Sequence, residues 1–291
     1  MKSKGGNTMK NKTNVKLAIV IFGTAIAMNA AVARPWVPLT DAVPNLVALY
    51  DASDTNTLTV SGLNVNNWAD KSVNSYDLDT VNNNSVRFDG LPHINGLTAV
   101  NFGYLGYMNR VGMPDIDLAN GVCLISVGQA YGGDSHDYGS TSSTNGSSSI
   151  RVYETGSGTM TAVVKVNSAG NNFTFANTNY QDGIPFMCAV YYDPAGMAYL
   201  RGNGGADTAS STRNSGATFT INAITAGRVG GTASHYHGEM ILLNTANIDT
   251  IEKVEGYLAW KWGLQDDLPV NHPYKGAAPI VPPAGTIVVI K

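Results

Sequence analysis

The chain has 291 residues, 43% of them apolar and only 13% charged, with 32 glycines, two cysteines and a formal net charge of −3. That balance excludes intrinsic disorder, and two cysteines are too few to staple a disulfide-framework miniprotein. Beyond residue 33, 13 basic groups face 21 acidic ones, a formal charge of −8 that excludes a nucleic-acid partner, because phosphate contacts need clustered Lys and Arg.

In chain order, Lys10, Lys12 and Lys16 precede an uncharged stretch of 17 residues from Leu17 to Ala33 that ends in small residues. This is the order of a secretory signal peptide, with Ala31-Val32-Ala33 as the cleavage site, and it predicts a leader over residues 1–33 and export. The protein is then expected to be secreted, at a cell surface or in an extracellular particle, with no membrane contact once the leader is removed. A retained anchor is the alternative, since 17 residues reach the lower limit for crossing a bilayer. A Pro-containing opening segment follows over 34–44.

Short apolar runs then alternate with clusters of Gly, Asn, Ser and Thr to about residue 245. The runs predict strands at 47–50, 87–89, 99–102, 122–130, 161–166, 173–176, 186–192, 197–201, 224–229 and 239–243. Many short strands separated by turn signals point to an all-β fold, a two-sheet antiparallel jelly-roll sandwich. One short C-terminal helix interrupts the pattern. Ile251, Val254, Leu258 and Trp262 recur at spacings of three and four, Asp249 is the expected cap, and Gly263 with Pro269 and Pro273 ends it. Glu252 and Glu255 are expected on its solvated face.

The run Ala48-Leu49-Tyr50-Asp51-Ala52-Ser53-Asp54, then Thr57-Leu58-Thr59 and Trp68-Ala69-Asp70-Lys71-Ser72, resembles the opening motif of LamG-like, concanavalin A-like jelly-roll domains. Ile251-Glu252, Glu255-Gly256-Tyr257-Leu258-Ala259, Lys261-Trp262-Gly263-Leu264, Leu268-Pro269 and His272-Pro273-Tyr274-Lys275 resemble that family's closing helix and tail. Such domains occur in bacterial surface proteins and bacteriophage virions. The resemblance spans roughly residues 45–278 and implies two antiparallel sheets, one of them concave, with Asp51, Trp68 and Tyr274 as framework. It also implies a role in ligand binding or in structure. The segments around Cys123 and Cys188 resemble the two strands that pentraxins join by their disulfide. That resemblance, with export, implies a Cys123–Cys188 bond closing a loop of 65 residues. The calcium-binding acids of pentraxins have no counterpart in the sequence.

Among groups that carry chemistry, only four glutamates are present, Glu154, Glu239, Glu252 and Glu255, and none begins the E-x-D-x-x-E run of laminarinase-like glycoside hydrolases. A paired-carboxylate hydrolase is therefore not expected. His235, His237 and Glu239 would share one face of a strand by alternation, and two histidines with a carboxylate form a known catalytic metal set. The family's own Gly-Glu step at this strand gives Glu239 a structural reading instead. The loop 131–149 combines Tyr131 and Tyr138, which can stack on sugar rings, with Asp134, His136 and Asp137, which can bond hydroxyls; an unliganded Gly/Ser loop is the alternative. Asp115 and Asp117 could supply oxygens to calcium, the cofactor such acids would take.

The functional expectation is an exported, non-catalytic carbohydrate-binding or adhesive surface module whose partner is a glycan or cell-surface polysaccharide. The first alternative is a structural subunit of a virion or extracellular filament, built by protein-protein contacts, and the second is a metal-dependent enzyme. The tail 279–291 bears on this choice. Pro279, Pro282 and Pro283 make a stiff spacer before Thr286-Ile287-Val288-Val289-Ile290, an apolar strand that must pair with its own sandwich or, by self-assembly, with a neighbour's sheet.

Overall fold

The computed structural model describes residues 33–281 except 39–40, 42, 44, 83–84, 104, 117, 132–136, 143–148, 155–158, 167–168, 177–182, 210–220 and 228–233. The expected leader, apart from Ala33, and the expected strand 286–290 lie outside the described residues, as do Asp117, Asp134 and His136. The first strands are β1 (Leu46–Asp51), β2 (Leu58–Ser61), β3 (Asn64–Trp68), β4 (Thr80–Asn82), β5 (Val86–Arg87), β6 (Val100–Phe102) and β7 (Tyr107–Val111). Next come β8 (Val122–Tyr131), β9 (Asp137–Ser142), β10 (Ser149–Glu154), β11 (Thr159–Val166) and β12 (Ala169–Ala176). The chain continues through β13 (Phe186–Tyr192), β14 (Ala198–Gly202), β15 (Thr208–Ala209), β16 (Ala223–Gly227) and β17 (Ser234–Leu243) to the helix α1 (Ile248–Lys261).

These strands form two sheets. A seven-stranded sheet runs β12-β11-β10-β9-β16-β7-β4, and a ten-stranded sheet runs β15-β14-β13-β8-β17-β6-β5-β3-β2, with β1 also paired to β17. Every pairing in them is antiparallel. The expected all-β sandwich with one C-terminal helix is the observed architecture. The sheets enclose one core, built of Tyr50, Trp68, Phe102, Leu124, Val190 and Met240 from the larger sheet against Met108, Ile150, Met160 and Ile224 from the smaller. A second core lies on the other face of the ten-stranded sheet, where α1 packs Ile251, Val254, Leu258 and Trp262 over Ile125, Ile241 and Leu243. The central strand β8 is therefore covered on both faces, which is why its sequence, VCLISVGQAY, is nearly continuous in small and apolar residues. Among the described residues no helix is long and apolar enough to cross a membrane.

Strands β2, β3, β4, β7, β9, β10 and β15 are absent from the sequence-based reading. In β3, Asn64-Val65-Asn66-Asn67-Trp68, only Val65 and Trp68 are fully buried, so a strand half made of asparagine reads as a turn. The helix begins earlier than expected: Asn247 is the cap, its side-chain oxygen accepting from the Thr250 N–H at 2.9 Å, and Asp249 lies in the first turn. Its four-residue apolar stripe is buried as the spacing demands, and each side chain contributes about 1.5–3 kcal/mol. Gly263, at φ +70°, ends the helix.

Glu255 corrects the expected solvated pair. It is fully buried and receives Arg201 Nε at 2.9 Å and Nη2 at 3.1 Å, while Glu252 accepts from the same guanidinium at 3.3 Å. The apolar stripe is flanked by a polar seam that bonds to β14, something helical periodicity does not report. His272 Nε2, also buried, lies 3.4 Å from Glu255. Tyr274 lies against α1 at Gly256, where a methyl group would come within 2.6 Å of the Tyr274 Cβ. The framework roles implied for Trp68 and Tyr274 follow from this packing.

The Cys123–Cys188 bond is also corrected. Both thiols are free and buried. In the β8–β13 register Cys188 faces Ser126, not Cys123, which faces Tyr191. An offset of three residues places the two side chains on opposite faces of the sheet: Cys188 in the core between the sheets, Cys123 in the core under α1. The resemblance pairs the right strands but not the faces. Burial raises both thiols, Cys188 to about 12.

The two ends of the described chain meet. Arg34–Pro35 and Ile280–Val281 form a short antiparallel ribbon, and the Trp36 N–H donates to the Pro279 carbonyl at 2.9 Å. Trp36 is buried, edge-on to Tyr257 with ring centroids 6.2 Å apart, and the Lys253 ammonium lies 4.7 Å from its ring centre.

Candidate functional site

Strand β17, SHYHGEMILL, carries the expected metal set His235, His237 and Glu239, and a β-bulge divides it. Opposite β8, Val127 pairs with Glu239 and Gly128 with His237, so Gly238 is an extra residue that reverses the alternation. The edge partner changes at the same point, from β6 beside residues 235–237 to β1 beside residues 239–243. Gly238 is required here, since a Cβ would lie 2.7 Å from the Trp262 indole.

The bulge undoes the expected metal set. His235 and His237 point between the sheets around Phe102, at ring-centroid distances of 5.6 and 4.9 Å. Glu239 points the other way, beneath α1. Among the described residues no group of three His, Cys, Asp or Glu side chains could hold a metal ion. Asp115, the described member of the expected calcium pair, accepts from Asn222 Nδ2 at 3.2 Å.

Glu239 instead anchors the helix. It is fully buried and accepts from Trp262 Nε1 at 2.9 Å and from the Tyr257 hydroxyl at 3.1 Å, and it is also bonded to Lys261. Lys261 Nζ lies 2.8 Å from Asp51, which in turn holds Lys71 at 3.0 Å. Burial pushes the Glu239 carboxyl above its usual range despite Lys261, with the neighbouring Asp51 adding to the rise. Burial also works against Asp51, but Lys261, Ser53 and Lys71 outweigh it and hold that carboxyl low. The cluster ties α1 to β1 and β17, with the Glu239 and Asp51 carboxylates buried and already paired.

On the other side of the bulge the same face of the sheet is open. The register lines up Arg87 of β5, Asn101 of β6 and Tyr236 of β17 side by side across three strands. Two adjoining compartments of about 200 and 270 Å³ share Arg87 and Asn101. The first is walled by Leu63, Ala99, Asp89 and Tyr236, the second by Ser85, Gly103 and Ser234. His93 stacks on Tyr236 with ring centroids 4.0 Å apart and planes 22° apart, and Tyr131 meets Tyr236 edge-on at 5.6 Å. Tyr131 is 45% exposed. His93 is itself fixed, its Nε2 donating to the two Asp89 oxygens at 2.8 and 3.0 Å. Burial pushes Asp89 up, but the Leu91 amide and His93 outweigh it and leave the carboxyl below its usual range. The result is an aromatic wall beside a polar rim of guanidinium, amide and hydroxyl groups, a combination that takes the C–H face of a sugar ring and bonds its hydroxyls.

Of the binding residues expected from the sequence, Tyr131 lies beside this cleft, edge-on to Tyr236. Tyr138 and Asp137 do not sit in a loop with it: they lie on β9, a strand of the seven-stranded sheet, whereas Tyr131 ends β8 in the other. Arg87, Asn101, His93 and Tyr236 were missed, because residues 87, 101 and 236 come together only through strand pairing. The legible signal was an aromatic between two histidines at 235–237, whose middle residue alternation places on the face opposite its neighbours.

No protein-family model matches the chain, and no curated protein matches its sequence. Solved structures do match in fold. The binding domain of botulinum neurotoxin DC in complex with SialylT superposes with a TM-score of 0.53 at 10% identity, over 74% of this chain and 52% of that one. Botulinum neurotoxin type C, whose access to cells depends upon interaction with two ganglioside molecules, gives 0.51 at 10% identity over 74% and 51%. The type G receptor binding domain gives 0.52 at 11% identity over 73% and 51%. The chain thus spans about half the length of these structures, and the likeness is one of fold: a β-rich architecture that in these neighbours belongs to binding domains, not catalytic ones.

Proposed function

We propose that this chain is an exported, non-catalytic carbohydrate-binding module of the LamG-like kind, adhesive at a cell or particle surface, and that its glycan lies in the Tyr236 cleft. The observation that carries the reading is the aligned row of Arg87, Asn101 and Tyr236 beside the His93 and Tyr131 rings, on a part of the sheet lined by two compartments. The neurotoxin neighbours support it as binding domains, one of them in complex with SialylT. A broad glycan array tests it: the chain should retain a defined set of glycans, and Tyr236→Ala should lose them. No retention of any glycan by the parent protein would remove the reading.

A second reading, a structural subunit of a virion or filament, is favoured by the ribbon at the chain ends. Ile280 is 56% exposed in a two-stranded ribbon, and such a ribbon can accept a further strand from another copy. Removing residues 282–291 leaves the ribbon in place; if the tail joins copies, mass measurement will find the shortened chain released as a monomer.

A further inference from the structure

We propose that the cleft selects an anionic sugar, a hexuronate unit within a polysaccharide, and that Arg87 is the residue that reads its carboxylate. This rests on the glycan reading above and narrows it. Among the described arginines, Arg34 is bonded to Asp41, Arg110 lies 2.7 Å from Asp79, and Arg201 is held by Glu255 and Asp207 at 2.9 Å each. Arg151 lies over the Tyr153 ring, 4.5 Å from its centre. Arg87 is exposed, lines both compartments of the cleft, and has no ion-pair partner among the described residues. The carboxylate nearest in sequence, Asp89, is committed to His93 and to the Leu91 N–H at 2.9 Å. Asp89 shares the first compartment with Arg87, but in the second, lined by Ser85, Asn101, Gly103 and Ser234, the Arg87 guanidinium is the one charged group among the described residues.

A planar guanidinium matches a carboxylate through two parallel N–H···O bonds, and a charge-assisted pair of that kind is stronger than any bond to a neutral hydroxyl. The remaining groups suit the rest of a uronate ring. Leu63, Ala99 and Tyr236 offer an apolar wall to its C–H face, and Asn101, Ser85 and Ser234 offer amide and hydroxyl groups to its hydroxyls. A neutral sugar would desolvate Arg87 without replacing its water by an opposite charge, so the same cleft discriminates against it.

The test compares polygalacturonate with the neutral glucan pullulan by affinity electrophoresis of the full chain, in chelator so that calcium bridging plays no part. The parent protein should be retarded by polygalacturonate far more than by pullulan. Arg87→Gln should weaken polygalacturonate binding by about tenfold or more with an unchanged melting temperature, because the side chain is exposed. Arg87→Lys should recover only part of the loss, since an ammonium keeps the charge without the two-pronged geometry. Equal retardation by both polymers, or full polygalacturonate binding by Arg87→Gln, overturns the uronate assignment while the glycan reading stands. Absence of binding to both polymers and to a glycan array overturns the two together.

Discussion

The outer face of the ten-stranded sheet is one surface with two fates. Over residues 239–243 of β17 it is covered by α1, and its polar groups are locked together: Glu239 is ion-paired with Lys261 and accepts from the Trp262 indole N–H, and Asp51 is ion-paired with Lys261 and Lys71. Over residues 234–236 it lies beyond the bulge, where Arg87 is exposed and Asn101 and Tyr236 are half-buried, Tyr236 beneath the His93 ring. The residue types are alike, charged groups beside aromatics. Coverage makes the difference: under the helix such groups must satisfy one another, whereas Arg87 in the cleft has no ion-pair partner among the described residues. Gly238 marks the boundary.

Substitutions on the covered side should cost stability and those on the open side should cost binding. The largest effect is expected from Arg201→Ala, which leaves the buried Glu255 carboxylate with only His272 beside it and should cost about 3–5 kcal/mol in urea unfolding. Next is Gly238→Ala, at about 1–3 kcal/mol from the clash with Trp262. Because it sits at the boundary, it is the one substitution expected to lower both the melting temperature and glycan retention; loss of stability with unaltered retention would show that the cleft does not depend on the bulge.

Acid titration sharpens the same contrast. Asp51 has a folded-state pKa below its unfolded value, so its contribution is fully present above the unfolded value, about 4, and is lost as pH falls through the lowered one. The urea midpoint should fall as pH drops below about 4, and the fall should be smaller in Asp51→Asn. Tyr131→Ala, on the open side, should change stability by no more than about 0.5 kcal/mol while lowering glycan retention. The smallest expected effect is none at all: a reducing agent should leave the melting temperature unchanged, and a thiol reagent should label Cys123 and Cys188 only after unfolding.

How far the sequence reaches differs between the two sides. The covered side was legible in kind, because Ile251, Val254, Leu258 and Trp262 advertise a buried helix face, and the apolar runs of β8 and β13 advertise central strands. Its polar seam was not: Glu255 three residues beyond Glu252 reads as solvated surface until Arg201, more than fifty positions earlier, is folded against it. On the open side Tyr131 was legible as an aromatic at a strand end, but its neighbours His93 and Tyr236 are distant in the chain, and only strand pairing brings them to it.

The alternation of apolar and turn-forming residues, together with a single amphipathic run, is enough to determine an all-β sandwich with one helix, because backbone hydrogen bonding and burial act residue by residue along the chain. Which face each side chain takes is another matter. One extra residue at Gly238 turns Glu239 away from His237, and an offset of three between Cys188 and the residue opposite Cys123 sends the two thiols to different cores. Register and bulges are set by contacts between distant strands, so tertiary structure alone decided that this chain has two buried thiols instead of a disulfide, an ion-paired anchor instead of a metal set, and an open aromatic cleft where strands β5, β6 and β17 meet.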